Sequence, residues 1–483
     1  MIAELLSLPG LVPLVPLLAG VLAMFVASLE AATWLAIGAS TAAFALACAL
    51  PWEARAGQLL LVDPLAAHMT LLTSFVGMTT AWFSRDYIRV EAASLRLDAM
   101  RLRLYHALFL GFLGFMLLAL LANNLGVTWV AIEASTLAAV VVVGLPRTAE
   151  AVEASWKFFV LCGVGIALAL FGTFVLYLAG LPVLGPGLDA MSWTGLARAA
   201  PHCRGPLLNL AFVFLLLGYG TKAGLAPLHA WMPDAHSEGP TPVSAVLAGS
   251  ILNVALVAIL RTRSLLAANA EAISPGPPIM ALGMLSLLMA ALSLWRRRDA
   301  KRFFAFSTIE QSGVAAFAFG LGGSAAVFAG VLHLTLHTLI KAAVFQCVGR
   351  ATQLKGSPKF ADIAGLVASH RALGLTLAAA IVALAGLPPF GLFTSEFLIV
   401  TETARRIPVL AVPLGLGLVV GAWALAARLI ALCAGEPTPD RGPAPSLAAL
   451  APAWLHLALV LVLGLAMPGV AVTWFAAIAE QMR

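Results

Sequence analysis

Long runs of apolar residues, separated by short polar segments, fill almost the whole chain. A transmembrane helix needs about 20 consecutive apolar residues, and these runs are long enough to cross a lipid bilayer. The pattern therefore predicts an all-α polytopic membrane protein with about fourteen transmembrane helices. The predicted spans are residues 10–28, 31–50, 59–83, 104–122, 125–145, 156–180, 206–230, 242–260, 277–295, 303–320, 324–349, 371–400, 408–432 and 447–475.

Two of the predicted spans are interrupted by prolines, the seventh at Pro227 and Pro233 and the twelfth at Pro388 and Pro389. Proline removes a backbone donor and clashes with the preceding turn, so we expect a discontinuous helix in each span. Paired interruptions in two halves of a chain are typical of inverted-repeat transporters. Because an odd number of helices inverts the second copy, the sequence predicts two inverted five-helix repeats.

A single membrane domain is expected over residues 1–483, because no soluble domain interrupts the spans. Its first three helices are predicted within residues 1–103 and its last helix within residues 447–483. The first repeat is predicted to cover residues 104–262 with helices four to eight. The second is predicted to cover residues 277–432 with helices nine to thirteen.

Composition agrees with this fold, since 61% of the 483 residues are hydrophobic and 10% are charged. The net charge of +6 does not indicate nucleic-acid binding, because 18 of the 28 Lys and Arg residues fall in alternate loops and 8 in the others. By the positive-inside rule the basic face is cytoplasmic, which places both termini outside a bacterial inner membrane. The strongest topology markers are Arg85, Arg89, Arg96, Arg101 and Arg103 in one loop and Arg296, Arg297, Arg298, Lys301 and Arg302 in another.

The sequence gives no sign of a cofactor of its own. Its five cysteines lie far apart without a CxxC pair, so neither an iron–sulfur cluster nor a thiolate zinc site is predicted. No glycine-rich nucleotide loop is present either. If the protein works in a redox complex, we expect the electrons to travel in other subunits.

An ionisable pair is predicted in the first repeat. Lys222 lies in an otherwise uncharged apolar run, where a charge costs roughly 2.5 kcal/mol or more unless it has a partner or water. Glu133, the only acid of its span, is the natural partner, because two opposite charges about 4 Å apart gain roughly 4 kcal/mol at an effective dielectric near 20. We interpret the pair as a switch: closed, it keeps Lys222 protonated, and opened, it lets Lys222 release its proton. A static structural ion pair is the alternative.

A second set of ionisable residues follows one stripe of a helix. His333, His337 and Lys341 recur every four residues, and Thr335 and Thr338 lie between them, which is a pattern suited to a chain of water molecules that relays protons. The spacing of the two histidines also fits a metal or haem pair. A third ligand is missing at a suitable distance, so the sequence predicts no metal site.

Two further glutamates complete the predicted path. Glu310 is a candidate relay group, with a helix-packing acid near the cytoplasmic mouth as the alternative. Glu396 follows the second break as a candidate terminal proton donor or acceptor, unless Thr394, Ser395 and this carboxylate only cap the resumed helix. Four residues crowd the loop after Lys222, where they either admit protons or are simply solvated: His229, Asp234, His236 and Glu238.

Four sequence blocks resemble the antiporter-like proton-translocating subunits shared by respiratory complex I, Mrp antiporters and membrane-bound hydrogenases. They are WVAIEASTL, GYGTKAGLAPLHAWMPDAHSEGPTPVSAVLAG, HLTLHTLIKAAVF and GLPPFGLFTSEFLI, and AFSTIEQSG resembles the hydrogenase-4 component F branch. The resemblance implies fourteen helices around a hydrated axis. It also implies that Glu133 and Lys222 are the family's essential pair, Lys341 its central relay lysine and Glu396 its distal ionisable residue.

The chain departs from the family pattern at three positions. Asn253 stands where complex I relatives often have lysine, so the link between the half-channels is expected to run differently or through water. Gln311 stands where the hydrogenase-like branch tends to have histidine. Glu396 replaces the lysine of some complex I subunits.

The leading functional hypothesis is a proton-conducting subunit of a larger inner-membrane complex. Its expected partners are other membrane subunits, a peripheral redox or other driving module, and the lipid bilayer. The alternatives are a subunit of a Mrp-type cation/proton antiporter or of a proton-linked inorganic-carbon uptake module. A third class, a haem-bearing quinone oxidoreductase subunit, rests on His333 and His337 alone.

Overall fold

The computed structural model describes residues 2–93 and 98–482, so the predicted topology marker Arg96 lies outside the described residues. The α-helices are α1 Ile2–Leu5, α2 Leu8–Ala23, α3 Leu29–Ala47, α4 Pro64–Ala93, α5 Ala99–Leu121, α6 Leu125–Val143, α7 Ala149–Leu184, α8 Trp193–Ala199, α9 Gly205–Lys222, α10 Met232–Glu238, α11 Thr241–Val246, α12 Leu252–Ala267, α13 Gly276–Leu294, α14 Ala300–Leu321, α15 Gly323–Lys355, α16 Leu366–Ser369, α17 Arg371–Leu384, α18 Leu392–Arg406, α19 Pro408–Leu429, α20 Ala451–Leu465 and α21 Gly469–Gln481. Strands β1 Arg55–Ala56 and β2 Leu61–Val62 form a small antiparallel hairpin.

Apart from this hairpin, the fold is helical, which confirms the predicted class of membrane protein. Among the described residues, ten helical segments are long and apolar enough to cross a bilayer. The shorter apolar helices α2 and α17 occupy two more of the predicted spans. The total of about fourteen spans and the residue limits of the two repeats stay predictions.

Both predicted interruptions are present, but each begins before its prolines. α9 ends at Lys222 and α10 begins at Met232, while α17 ends at Leu384 and α18 begins at Leu392. Gly224 and Gly386 follow the two helix ends with φ of 69° and 63°, a left-handed conformation that glycine adopts without a steric penalty. These glycines, rather than the prolines, therefore end the helices.

The last predicted span, residues 447–475, is wrong as a continuous helix. α20 ends at Leu465 and α21 begins at Gly469, directly after Pro468. Proline fixes its own φ and has no N–H for the helix ladder, so the chain starts a new helix there.

Loops that carry most of the basic residues contact one another on one side of the bundle, called here the basic face. Lys157 of α7 lies 3.1 Å from Asp234 of α10, and Asp234 lies 3.2 Å from Arg302 of α14. Lys355 at the end of α15 contacts Asp440 at 2.7 Å. The alternation of loops that the charge count assumed is therefore present at this face.

The other set of loops and the chain's end meet on the opposite face. Arg261 lies 2.8 Å from Asp63, and Arg263 donates a hydrogen bond to the carbonyl of Met482 at 2.8 Å. Arg406 donates to the carbonyl of Gly322 at 2.8 Å. These contacts hold the ends of α12, α14, α18 and α21 together.

Two buried helical segments lie at the centre of the bundle. α15 is 33 residues long, and α11 continues through a π-helical turn, Leu247–Ile251, into α12. The two segments approach closely, because a Cβ on Gly249 would come within 2.6 Å of Thr338. They place the polar residues of α15 in the middle of the molecule.

Candidate functional site

The predicted contact in the first repeat is present. Lys222 Nζ lies 3.2 Å from Glu133 Oε2 and donates a 2.6 Å hydrogen bond to Thr136 Oγ1. The Lys222 side chain is fully buried, whereas 19% of the Glu133 side chain is exposed. Lys222 is also the last residue of α9, where a cation interacts favourably with the C-terminal end of the helix dipole.

The break after Lys222 is held by a tryptophan. Trp231 Nε1 donates a 2.8 Å hydrogen bond to the carbonyl of Thr221, and its ring stacks on Phe158 with centroids 4.4 Å apart. A carbonyl at a helix end has no partner within its own helix and is costly to leave unpaired away from water. Trp231 therefore fixes the end of α9, and with it the position of Lys222.

Lys341 has a different environment from Lys222. Its Nζ donates to the carbonyl of Phe304 at 2.7 Å and also contacts Ser307 Oγ. No carboxylate of residues 2–93 or 98–482 forms an ion pair with it within 4.0 Å. The hydrogen-bond partners of this fully buried lysine are therefore neutral oxygens of α14, in contrast to the carboxylate beside Lys222.

A cluster in the second repeat joins α14, α15 and α18. His333 Nδ1 lies 3.1 Å from Ser395 Oγ, and the Glu396 carboxylate interacts with the side chain of Gln311. The alternative of a polar cap does not fit, because α18 begins at Leu392 and Ser395 donates to the Leu392 carbonyl inside the first turn. Ser395 and Glu396 therefore face the interior relay rather than a helix end.

Glu310 lies deep in the bundle. It is ten residues into α14, about 15 Å from the basic-face end at 1.5 Å per residue, so the alternative position at the mouth is wrong. The side chain is buried, and Oε2 has no hydrogen-bond partner among the described residues. Glu310 lies near enough to both Glu396 and Lys341 to interact with them electrostatically.

Asn253 joins α12 to α15. Its Nδ2 donates a 2.8 Å hydrogen bond to Thr338 Oγ1 of α15, while its Oδ1 is buried without a partner in the described part of the chain. Ser250, in the neighbouring π-helical turn, has an unpartnered buried hydroxyl as well. π-Helical turns are often found at functional sites.

Unpartnered buried polar atoms continue along the centre of the described chain. Such groups are normally satisfied by ordered water, since each costs free energy when left unpaired. Water bound at these atoms would belong to the hydrated seam from Lys222 through Lys341 to Glu396, and that seam stays a prediction. The side chains with such atoms are His236, Ser250, Asn253, Glu310, Gln311, Ser312, His333, His337 and Gln346.

The four loop residues after Lys222 separate into two groups. Asp234 and Glu238 form ion pairs with Arg302 at the basic face, at 3.2 Å and 3.4 Å.

His236 is fully buried with both ring nitrogens unpartnered, and it stacks on Phe345 of α15. His229 is half-buried beside Phe306. The histidines thus lie between the charged surface and the interior.

The histidines of α15 do not form a metal site with a third ligand. The His333 and His337 rings are nearly parallel with centroids 6.4 Å apart. Within the described residues, no group of three or more His, Cys, Asp or Glu side chains is arranged to hold a metal ion.

Sequence reasoning missed the neutral partners of the two lysines, Thr136 and Ser307. A signal for them exists, because Thr136 lies three residues after Glu133 and Ser307 three residues before Glu310, on the same helix faces. The positions of Glu133, Lys222, His229, Glu310, His333, His337, Lys341 and Glu396 are now given by the structure, while their roles stay predictions.

Comparisons with known proteins identify similar chains. Residues 122–420 match the family described as NADH:quinone oxidoreductase/Mrp antiporter, TM. A hydrogenase-4 component F homolog from Methylacidiphilum infernorum is 49% identical over 419 residues, which cover 87% of this chain and 88% of the relative.

Solved structures share the fold. A chain of an archaeal respiratory membrane complex, the membrane-bound sulfane sulfur reductase, matches with a TM-score of 0.84 at 23% identity, covering 98% of this chain and 96% of the other. A chain of respiratory complex I from Thermus thermophilus matches with a TM-score of 0.78 at 26% identity, covering 98% and 100%.

Proposed function

Because the chain belongs to the NADH:quinone oxidoreductase/Mrp antiporter transmembrane family, we propose that it is the proton-translocating subunit of a larger energy-coupling membrane complex. Membership of this family confirms the resemblance expected from the sequence. The identity of 49% to a hydrogenase-4 component F homolog supports that branch of the family. An Mrp-type antiporter subunit is the competing function.

The observation that carries the proposal is the Lys222–Glu133 contact inside the bundle. A fully buried ammonium lies 3.2 Å from a partly exposed carboxylate while the pair is closed. Moving Glu133 away leaves Lys222 with only the Thr136 hydroxyl as a contact. Opening and closing the pair thus breaks and remakes the charge–charge contact of Lys222, which is the change that a proton-transfer switch requires.

The rest of the seam supplies a path for the released proton. Lys341 is bound by neutral oxygens and by no carboxylate of the described residues, which suits a group that passes a proton on. From there the Glu310, His333 and Glu396 cluster leads toward the opposite face. Moving one charge through 100 mV is worth about 2.3 kcal/mol, which a change in one buried contact can match.

The setting of the protein follows from its family and charge pattern. Its relatives are subunits of multi-subunit membrane complexes, which supports partners of the same kind. We assign the basic face to the cytoplasm of a bacterial inner membrane, where a peripheral driving module docks, and both termini to the outer side.

The test uses the full chain in its complex, reconstituted in vesicles. A potassium diffusion potential drives proton uptake, and a pH-sensitive dye measures it. Glu133→Gln and Lys222→Met should each lower uptake at least tenfold, because neither retains the switchable charge pair. Glu150→Gln, an exposed acid at the start of α7, is the control and should behave as the wild type.

A double variant separates a switch from a static ion pair. Glu133→Gln/Lys222→Gln removes both charges and leaves neither one buried without a partner, so assembly should survive. Wild-type uptake in this variant would show that the pair is only structural. Proton uptake that depends on external Na⁺, with Na⁺ moving in the opposite direction, would favour the antiporter instead.

A further inference from the structure

A buried ion pair at the opposite face has no part in the path described above. Asp63 precedes α4 and accepts a 2.7 Å hydrogen bond from the backbone N–H of Ala66. Its other oxygen lies 2.8 Å from Arg261 and accepts a 2.9 Å hydrogen bond from Gln481. Asp63 and Arg261 line a cavity of about 360 Å³ at this face, together with Thr194.

A histidine lies just below this cavity. His68 is five residues after Asp63 on the same chain segment, about 7.5 Å along the helix axis. It is only half-buried, and its ring contacts Phe475 of α21 with centroids 5.1 Å apart. Since the side chain is not fully buried and follows Asp63 of the cavity by five residues, we infer that water from the opposite face reaches it.

His68 contacts the central helix. Its Nε2 lies 2.8 Å from Thr335 Oγ1 of α15. The Thr335 hydroxyl donates its own hydrogen to the Val331 carbonyl at 2.8 Å, so we assign the proton of this contact to His68 Nε2. The imidazole therefore has its Nδ1 atom free to accept a proton from the cavity side.

From Thr335, a row of polar side chains follows the surface of α15 to Lys341. Thr335, Thr338 and Lys341 follow one another at three-residue spacing, and residues three apart are neighbours on a helix surface. Thr338 accepts the hydrogen bond of Asn253, whose buried Oδ1 has no partner among the described residues. That oxygen is suited to hold a water molecule between the two threonines and the lysine.

We propose that His68 is a proton-access residue that connects the opposite face to Lys341 through Thr335 and Thr338. The proposal rests on the proton-translocating function proposed above and adds a route that is separate from the second broken helix. Thr335 lies two residues from both His333 and His337, and so on another side of α15. Lys341 thereby has two connections to the same face.

The transfer needs no co-reactant. A proton from water near Asp63 binds His68 Nδ1, and the Nε2 proton passes to the Thr335 hydroxyl. That hydroxyl turns away from the Val331 carbonyl and releases its own proton to a water molecule on the side of Thr338. The ring then returns to its starting tautomer by exchanging its protons with water. For outward movement the same steps run in reverse.

The chain contains a matched control for this histidine. His456 of α20 also has its Nε2 2.8 Å from a threonine hydroxyl, that of Thr79, and its ring also contacts a phenylalanine, Phe75, with centroids 5.1 Å apart. His456 has the same hydrogen bond and ring packing but does not contact α15 through it. Comparing variants of the two histidines therefore distinguishes a role in proton relay from a role in helix packing.

The experiment compares His68→Gln with His456→Gln in the reconstituted complex. Glutamine keeps a donor and an acceptor but cannot relay a proton by changing tautomer, so His68→Gln should lower proton uptake about tenfold, whereas His456→Gln should change it less than twofold. Equal behaviour of the two variants would overturn the proposal. If His68→Gln fails to assemble, Thr335→Val and Thr335→Ser replace it, and only the valine variant should lose uptake.

Two further measurements make the outcome specific. External imidazole should restore part of the uptake in His68→Ala, and no rescue would indicate a structural role for the side chain. Lys222→Met is measured in parallel. If it abolishes uptake while His68→Gln does not, the access route is wrong and the proposed function stands; if neither variant changes uptake, the proposed function itself fails.

Discussion

At the scale of single residues, glycines determine how closely other helices approach the buried glutamates. Glu310 faces Gly421 of α19 so closely that a Cβ there would lie 1.7 Å from Oε1. Glu396 faces Gly386, where a Cβ would lie 2.1 Å from Oε2. Each carboxylate therefore occupies space that any larger residue would fill, and for Glu310 the glycine lies far away in the sequence.

Gly421→Ala should displace the Glu310 carboxylate and lower proton uptake by about tenfold, with a stability loss of about 1–3 kcal/mol from overpacking. Gly415→Ala on the same helix is the control, since a Cβ there meets nothing within 4 Å. Uptake assays and thermal unfolding of the two variants in detergent check this. An equal response of both variants would mean that the Glu310 side chain can move away from a Cβ at position 421 without loss of function.

At the scale of helices, the broken segment holds Lys222 in place. In a continuous helix each carbonyl accepts a hydrogen bond from an N–H of the same helix. α9 ends at Lys222, and the indole N–H of Trp231 donates to the Thr221 carbonyl there. Phe158 of α7 orients that indole by stacking on it. The position of Lys222 is thus decided by three helices together.

Trp231→Phe keeps the stack on Phe158 but removes the hydrogen-bond donor. The Thr221 carbonyl would then keep only the 3.2 Å hydrogen bond from the Gly224 N–H, at a cost of about 1 kcal/mol, and Lys222 would be less well placed against Glu133. We expect a lower unfolding temperature and a several-fold loss of proton uptake. Trp156→Phe, at a 61% exposed position, should leave both quantities unchanged.

At the scale of the whole molecule, charge distinguishes the two faces. Loops with Lys157, Arg302 and Lys355 meet on the basic face. The opposite face gathers Asp63, Arg261 and the end of α21. Since positively charged loops are retained in the cytoplasm, the arrangement predicts one orientation in the membrane.

Fusions to alkaline phosphatase, which is active only outside the cytoplasm, measure that orientation. A fusion at the C-terminus should be active, and a fusion after Gly442, in the loop joined to the end of α15, should be inactive. Fluorescent-protein fusions at the same two positions should give the reverse pattern. Phosphatase activity after Gly442 would contradict the assigned orientation.

Much of the fold was predictable because its signals are local. Apolar runs, the two interrupted spans and the alternation of basic loops all follow from residues near one another in the chain. The exact ends of the broken helices were not predicted, because Gly224 and Gly386 stop them before the prolines do. The break at Pro468 was missed, since the surrounding residues are as apolar as those of a continuous span.

The sequence by itself determined that the chain spans a membrane, which family it resembles and which ionisable residues lie in apolar surroundings, because hydrocarbon penalises charges whatever the fold. Only the tertiary structure decided their partners. Lys222 contacts Glu133 across 89 residues of sequence, Lys341 instead contacts neutral oxygens of α14, and His68 meets Thr335 across 267 residues. Such contacts depend on how helices cross and on where glycines permit close approach, and no local pattern encodes either.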